Sequence, residues 1–268
     1  MDSLALHNLG PFESQALAYS QAREQSTLAF GELAQAFKWS GVRERDVLSR
    51  LARKGLIVRV RKGLYLVPSR LPPGGRWSPG EFLALSALMN DRKGQYQISG
   101  PSAFYRYGWT EQVPNRLYVY NDRISGERQI GSSAFTLIKV TDDRLGDTEI
   151  VRVPEGVDVV YASRPRALFD AVYDWSRFDT LPRAYGWISS ECRQDGFAAD
   201  FVETTVRYGN QVTLRRIGAA LENAGVAKNL VRKIERKLTP ASAYTPWLPN
   251  DPQRGKTNKR WGIVFTDD

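Results

Sequence analysis

The sequence predicts an α+β protein in which an N-terminal winged helix-turn-helix domain is followed by a larger domain of mixed α/β structure. Three observations support this prediction. Two short amphipathic helical patterns flank the glycine-containing turn "KWSG" at 38–41, which is typical of a helix-turn-helix unit. The hairpin pattern "LIVRVRKGLYLV" at 56–67 follows directly. After residue 80, helical patterns are interspersed with β-branched and aromatic runs, which is typical of a mixed domain.

The N-terminal elements follow from local signals. Ser40 is a favoured helix N-cap, and Gly55 is the residue type favoured just past a helix C-terminus. Gly63 supplies the positive φ that a tight hairpin turn requires. The predicted elements are helices at 11–25, 31–37 and 42–54, a short apolar segment at 27–30, and strands at 56–61 and 64–67.

The third predicted helix has two distinct faces. At about 100° per residue, Val47, Leu48 and Leu51 cluster on one side, and polar side chains cover the others. Arginine can bind guanine bidentately, and serine and arginine can bind phosphates, so this helix is predicted to recognise bases in the major groove. The alternative is a solvated basic helix, which the turn before it and the hairpin after it disfavour. The candidate DNA-binding residues are Ser40, Arg43, Arg45, Asp46, Ser49, Arg50 and Arg53 in the recognition helix, and Arg59, Arg61 and Lys62 in the hairpin, or wing.

Positive charge is concentrated at the two ends of the chain. The net charge of the 268 residues is +9. Residues 1–70 contribute +5 and residues 207–268 contribute +7, whereas residues 71–206 contribute −3. Two separate basic regions indicate a polyanionic partner, and double-stranded DNA is the predicted one.

The composition argues against several classes of protein. One cysteine and one histidine, His7, exclude an intrachain disulfide and disfavour a Cys/His zinc site or a histidine-dependent triad. Apolar runs are too short for a membrane span, which needs about 20 residues. Asp2 and the lack of a basic n-region disfavour a signal peptide, so a cytoplasmic location is expected.

The chain is expected to comprise a winged helix domain at 1–70, a linker at 71–79 and a larger domain at 80–268. In the larger domain, the i, i+4 spacing of Arg166 and Asp170 favours a structural ion pair over a catalytic role for Asp170. Residues 121–131 are predicted to be a hairpin connection, and a final strand at 261–265 is expected to pair into the domain's sheet. The other predicted elements are helices at 81–90, 102–107, 164–173, 212–224 and 227–238, and strands at 117–120, 134–140, 150–153 and 157–161.

The predicted helix at 227–238 is basic on its outer face, with only Glu235 to offset the cations. Two interpretations remain open. The cations either form a solvated helix face or contact nucleic acid or an acidic partner. This possible second basic surface comprises Lys228, Arg232, Lys233, Arg236 and Lys237.

Catalysis is not expected. A metal-dependent nuclease of the D/E-x-K type needs carboxylates at a strand end. The tripeptides "DRK" at 91–93 and "ERK" at 235–237 instead fall in or at the ends of predicted helices. The sequence also lacks a glycine-rich phosphate loop with a following Lys-Ser/Thr. We therefore predict no catalytic residues, no metal and no cofactor.

Several segments resemble, in the same order, those of the AbiEi family of bacterial type IV antitoxins. The wing ends in "RKGLYLVP", and "ISGPSAFYRYGWTEQVPNRLYVYNDR" follows at 98–123. Two positions depart from the family pattern, because its usual His is Tyr107 here and its common Leu is Trp109, so no role is transferred to them. The other similar segments are "TLIKV" at 136–140, "VYASRPRALFDAV" at 160–172, "RYGNQVTLRRIGAALENAG" at 207–225 and "RGKTNKRWGIVF" at 254–265.

The resemblance implies an antitoxin and transcriptional autorepressor from a two-gene abortive-infection system that defends against phage. In this family the winged helix binds inverted repeats in the operon's promoter, and the C-terminal domain carries the antitoxin activity. The toxin is a nucleotidyltransferase, and direct binding between the two proteins is not required. Two copies per operator are expected, as monomers or a weak dimer. The alternatives are a stand-alone regulator, or a protein- or RNA-interaction module that neutralises a partner through the basic C-terminal helices.

Overall fold

The structure is a computed structural model that describes residues 9–72, 75–240, 243–249 and 255–265. His7, residues 73–74 of the predicted linker and residues 252–254 of the basic tail lie outside the described residues. Helices and strands alternate along the chain, with a small N-terminal group followed by a larger mixed part. The predicted α+β class is therefore confirmed.

The N-terminal elements are the predicted ones, with small shifts at their ends. In chain order they are α1 (Pro11–Ala22), β1 (Thr27–Ala29), α2 (Glu32–Phe37), α3 (Gly41–Arg53), β2 (Val58–Arg61) and β3 (Leu64–Leu66). α1 ends earlier than predicted because the chain turns at Glu24, which has a φ of +53°. β3 is the central strand of an antiparallel sheet with the order β1-β3-β2, so the hairpin of β2 and β3 is the predicted wing.

Local signals account for the boundaries of α3 and of the wing turn. The Ser40 hydroxyl accepts a hydrogen bond from the backbone N–H of Arg43 at 3.2 Å, which makes Ser40 the N-cap of α3 as predicted. Gly55 and Gly63 have φ angles of +72° and +82°, which confirms the predicted helix end and hairpin turn.

An apolar core holds the N-terminal helices together. Leu33 of α2 packs with the predicted inner face of α3, and all of these side chains are fully buried. Burial of each such side chain stabilises a fold by about 1.5–3 kcal/mol. The predicted inner face of α3, Val47, Leu48 and Leu51, is therefore confirmed.

The larger part of the chain contains a six-stranded sheet with the order β6-β7-β5-β4-β9-β8. In it, β4 pairs antiparallel with β5 and parallel with β9. The elements are α4 (Glu81–Arg92), β4 (Tyr96–Ile98), α5 (Pro101–Arg106), β5 (Leu117–Asn121), β6 (Gly126–Ile130), β7 (Ser133–Lys139), β8 (Thr148–Arg152), β9 (Asp158–Ala162), α6 (Arg164–Tyr173), α7 (Trp175–Phe178), α8 (Arg183–Glu191), α9 (Phe197–Tyr208), α10 (Gln211–Asn223), α11 (Lys228–Glu235), β10 (Thr245–Pro246), β11 (Lys256–Asn258) and β12 (Ile263–Phe265).

Two predictions for the larger part are wrong. The predicted connection at 121–131 contains a strand, β6, which pairs with β7 along its whole length. Most of its side chains are polar and solvent-accessible, so it lacks the apolar alternation of a half-buried strand. β12 does not join the main sheet but pairs with β10 and β11 in a separate three-stranded sheet. Four further elements, β4, α7, α8 and α9, were not predicted from the sequence.

The described chain forms two compact units. The first comprises the described residues up to Gln95 together with 123–137 and 152–159. The second comprises 96–122, 138–151 and the described residues from Val160 onward. The first unit therefore includes α4 and extends past the end of the predicted N-terminal domain.

Part of the predicted linker is hydrogen-bonded within the first unit. Trp77 donates its backbone N–H to the Gly55 carbonyl at 2.8 Å. The Ser78 hydroxyl lies 2.8 Å from that of Ser132 and accepts the Ser132 backbone N–H at 3.1 Å. The division at residues 70 and 79, and the linker role of 71–79, stay predictions.

The predicted pair of Arg166 and Asp170 is confirmed in the second unit. The guanidinium Nε lies 3.1 Å from the carboxylate, and both side chains are fully buried. Ser99 donates a second hydrogen bond to this carboxylate at 2.9 Å, and Arg166 also donates to the carbonyls of Arg144 and Gly146. Removing either partner would leave an uncompensated buried charge, so loss of one of them is expected to destabilise the fold.

The small C-terminal sheet packs closely against α10 at Trp261. Trp261, two residues before the start of β12, is fully buried. Its indole ring occupies the space beside Gly218 on α10, where a Cβ atom would lie only 2.1 Å from the ring. The indole N–H donates to Glu222 of the same helix at 2.6 Å. The missing side chain at Gly218 therefore makes room for the tryptophan.

We predict that Gly218→Ala lowers the free energy of unfolding by about 1–3 kcal/mol, the usual cost of overpacking a core. Gly186→Ala is the matched control, because Gly186 is exposed in α8 and its Cβ would meet no atom within 4 Å. There, alanine is expected to stabilise the helix by about 0.5–1 kcal/mol. Urea unfolding of both variants measures the difference, and an equal effect at the two positions would contradict the packing argument.

Candidate nucleic-acid interface

α3 is joined to α2 by the carboxylate of Glu44, which is fully buried. Its two oxygens accept hydrogen bonds from the backbone N–H groups of Gly31, Leu33 and Ala34, at 2.8, 2.9 and 3.4 Å. These N–H groups lie at the N-terminus of α2, whose N-cap Gly31 has no side chain to accept them. Glu44 therefore caps α2 from the neighbouring helix, where the helix dipole also favours a negative charge.

The exposed face of α3 lies opposite its buried residues. With side chains about 100° apart, the direction away from Val47 and Leu51 is the centre of that face. Arginines at positions 43 and 50 lie on one flank of this centre, and Arg45 lies on the other. The residues at the centre are Val42, Asp46, Ser49 and Arg53, all of them exposed.

The flank of α3 that faces α1 is held by an acidic side chain. Arg50 Nε lies 2.9 Å from the carboxylate of Glu13, which also accepts a hydrogen bond from Lys54. Burial alone would raise the pKa of Glu13, but hydrogen bonds from Lys54, the Gly10 backbone and Arg50 bring that pKa below its usual range. The stability from these bonds is therefore present at neutral pH and is lost only as the pH falls below the usual range for glutamate.

The other flank of α3 contacts the wing through Phe30. The Phe30 backbone N–H donates to the carbonyl of Gly63 at 2.8 Å, and its ring lies beside Gly41 at the start of α3. The guanidinium of Arg45 lies over this ring, 5.6 Å from its centroid. Phe30 therefore joins the wing turn to the first turn of the candidate recognition helix.

Within the wing, Arg61 is bound by an acidic residue of α4. Its guanidinium makes two hydrogen bonds to the Asp91 carboxylate, one of 2.6 Å, and a third to the Lys62 carbonyl at 2.7 Å. The hydrogen bonds from Arg61 hold the pKa of Asp91 below its usual range despite partial burial. Arg59 and Lys62 are exposed, and neither forms an ion pair with any residue that the structure describes.

The structure thus separates the predicted DNA-binding residues into two groups. Arg50 and Arg61 are engaged by carboxylates of the same unit. Whether any of the ten predicted residues contacts DNA stays a prediction. The second group contains the residues other than Arg50 and Arg61. They are exposed on α3, at its N-cap or on the wing, and they are Ser40, Arg43, Arg45, Asp46, Ser49, Arg53, Arg59 and Lys62.

The possible second basic surface lies on and just after α11. The helix ends at Glu235, so Arg236 and Lys237 follow its last turn. Lys233 forms an ion pair with Glu203. Glu235, the acid expected to offset these cations, pairs with Arg260, which also contacts Glu222. The exposed cations of this surface are Lys228, Arg232, Lys233, Arg236 and Lys237.

The two nuclease-like tripeptides are engaged in other contacts. Asp91 of "DRK" binds Arg61, and Glu235 of "ERK" binds Arg260. Among the described residues, no group of three or more His, Cys, Asp and Glu side chains could hold a metal ion. No helix in the described ranges is both long and apolar enough to cross a membrane.

Three residues of this region were not predicted from the sequence. In the sequence, Glu44 resembles any charged residue on the exposed side of a helix. Its position three residues before Val47, however, places it on the buried face of α3. Phe30 and Val42 are apolar and would be expected inside, but Phe30 is 43% exposed and Val42 is 64% exposed. A helical wheel centred on the exposed face of α3 could have identified Val42.

These features together define a winged helix-turn-helix protein with a largely basic face on α3, the second helix of the helix-turn-helix. This is the arrangement of many transcription regulators. Residues 15–68 match the family described as "Transcriptional regulator, AbiEi antitoxin". The resemblance to AbiEi antitoxins is therefore confirmed from within α1 through α2, α3 and the wing, and the matched family is one of transcriptional regulators and antitoxins. The resemblance of the later segments stays a prediction.

A solved structure is similar in fold over most of the chain. The crystal structure of the RV2827C protein from Mycobacterium tuberculosis is similar, with a TM-score of 0.63. The similarity covers 96% of this chain and 92% of that chain, at 12% sequence identity, and it therefore concerns the fold alone. No curated protein matches the sequence.

We predict that Glu44→Gln lowers the free energy of unfolding by about 2 kcal/mol. The amide is nearly isosteric, but its NH₂ group must face a backbone N–H of α2, and hydrogen bonds to a charged group contribute about 1.5–3 kcal/mol. Glu24→Gln, in the exposed turn after α1, is the matched control and is expected to change little. Urea unfolding followed by circular dichroism measures both, and a neutral Glu44→Gln would contradict the capping role.

Proposed function

We propose that this protein is a DNA-binding repressor of its own promoter and the antitoxin of a toxin–antitoxin pair. The observation that supports DNA binding most directly is the exposed face of α3 beside the wing. This face lies within the residues that match a family of transcriptional regulators. A helix-turn-helix of this kind inserts its second helix into the major groove, with the N-terminal residues nearest to the bases.

The charges of this region support a duplex nucleic acid as the partner. Arg43, Arg45 and Arg53 on α3, with Arg59 and Lys62 on the wing, are exposed cations. They suit the phosphates on either side of a groove, and backbone contacts of this kind set the register of a protein on DNA. In this proposal Arg61 has a positioning role, since Asp91 already neutralises its charge and its third hydrogen bond braces the wing turn.

The remaining parts of the proposal rest on the AbiEi resemblance. The operator is an inverted repeat that binds two copies of the chain, and the toxin is a nucleotidyltransferase encoded nearby. The protein acts in the cytoplasm without catalysis, a metal or a cofactor. A downstream reading frame for a nucleotidyltransferase would support the pairing with a toxin.

The wing assignment predicts different salt dependences for neighbouring residues. Each phosphate contact contributes roughly 0.9 to the slope of log affinity against log salt concentration. We expect Lys62→Ala and Arg59→Ala to weaken binding to all DNA sequences and each to reduce the slope by about one. Arg61→Ala is expected to leave the slope unchanged. Gel shifts with the upstream promoter at several salt concentrations measure these slopes, and a reduced slope for Arg61→Ala would show that Arg61 contacts a phosphate.

A second candidate function is neutralisation of an acidic partner through α11, supported by the exposed cations of that surface. The double substitution Arg232→Glu with Arg236→Glu should then abolish capture of the neighbouring gene's product while leaving promoter binding unchanged. Arg193→Glu, an exposed arginine of the same unit, is the control. Pull-down and gel shift on the same three proteins separate the two functions, and loss of promoter binding in the double variant would instead assign this surface to DNA.

A further inference from the structure

Val42 is an apolar side chain at the centre of a largely polar helix face. It is 64% exposed, whereas Val47, Leu48 and Leu51 of the same helix are fully buried. It occupies the first turn of α3, where helix-turn-helix proteins contact base edges. A single exposed valine is common on protein surfaces. Val42 differs from an isolated exposed valine because other exposed apolar side chains and arginines lie in the same region.

Exposed apolar groups are concentrated around the start of α3. Of the eight large hydrophobic side chains that are exposed among the described residues, Phe12, Phe30 and Val42 lie in this region. The guanidinium of Arg43 covers the ring of Phe12 at 4.8 Å, and that of Arg45 covers the ring of Phe30 at 5.6 Å. Val42 directly precedes Arg43 in sequence, and on the exposed face it lies between the two arginines with its own side chain 64% exposed.

This arrangement matches the chemistry of one edge of a base pair. In the major groove, the apolar group offered by the bases is the 5-methyl group of thymine, and phosphates border the groove on both sides. An apolar residue at the centre of the face, with arginines on both flanks, is complementary to that pattern. The flanking cations favour DNA over an apolar protein partner as the occupant of this face.

We propose that Val42 contacts the 5-methyl group of a thymine in each half-site and thereby determines specificity for thymine at that position. This inference rests on the proposed DNA-binding function. It adds a specificity-determining residue to the exposed polar side chains of α3, whose own hydrogen bonds would recognise neighbouring bases.

Thymine-to-uracil substitution tests the contact, because uracil keeps the base-pairing groups of thymine and lacks only the methyl. The full-length protein selects its sites from a random duplex pool, and each thymine of the selected site is then replaced by uracil. One position per half-site is expected to lose about fourfold in affinity, the value for removing one buried methyl-sized group. Val42→Ser is expected to bind the thymine and uracil probes equally at that position.

The comparison is a cycle in which the base, thymine or uracil, and the side chain at position 42 are each changed alone and together, and two further variants serve as its controls. Val113→Ser removes a valine that is 66% exposed in the second unit, and it is expected to keep the wild-type preference for thymine. Val42→Ile keeps an apolar contact and is also expected to keep the preference. Because the cycle compares base and side-chain changes together, an effect of uracil on DNA shape alone would persist in Val42→Ser.

The outcomes separate this inference from the proposed function. A folded protein that selects no DNA overturns the proposed function. Selective DNA binding without any uracil effect, or an uracil effect that Val42→Ser retains, overturns the assignment of Val42 alone. A fourfold effect that disappears only in Val42→Ser supports it.

Discussion

The buried carboxylate of Glu44 is the interaction on which the N-terminal unit depends. It lies in α3, yet it caps a different helix, α2, whose N-cap glycine cannot do so itself. The same hydrogen bonds hold the segment that begins at Gly31 against α3, and Phe30, the residue before it, is bonded to the wing turn. One charged side chain therefore links α2 to α3 and, through Phe30 next to Gly31, both helices to the wing.

Ion pairs within the first unit reduce the number of free cations on this face. Arg50 is bound by Glu13 and Arg61 by Asp91, and both carboxylates have a pKa below the usual range, so both pairs are formed at neutral pH. The positive charge counted from the sequence is therefore larger than the positive charge that remains available to a partner. The distribution of charge along the sequence also conceals the role of α4, which is distant in sequence from the wing but supplies the acid that holds it.

Much of the fold could be predicted from local patterns, and the failures have identifiable causes. Apolar periodicity predicted α3 and its buried face, and capping and turn residues predicted its start, its end and the wing turn. β6 was missed because pairing with β7, and not an apolar face, makes it a strand. β12 was assigned to the wrong sheet because its pairing with β10 and β11 and the packing of Trp261 beside Gly218 join distant segments, which no local pattern specifies.

The sequence by itself determined the α+β class, the order of the N-terminal elements, the resemblance to AbiEi antitoxins and the candidate residues of α3 and the wing. These properties depend on interactions between residues close together in the chain, such as caps, turns and helical periodicity. Only the tertiary structure decided that Glu44 is buried, that Arg61 is paired and that Val42 lies exposed among arginines. The physical reason is that burial and ion pairing join residues from different elements, whose proximity depends on how the helices and strands pack.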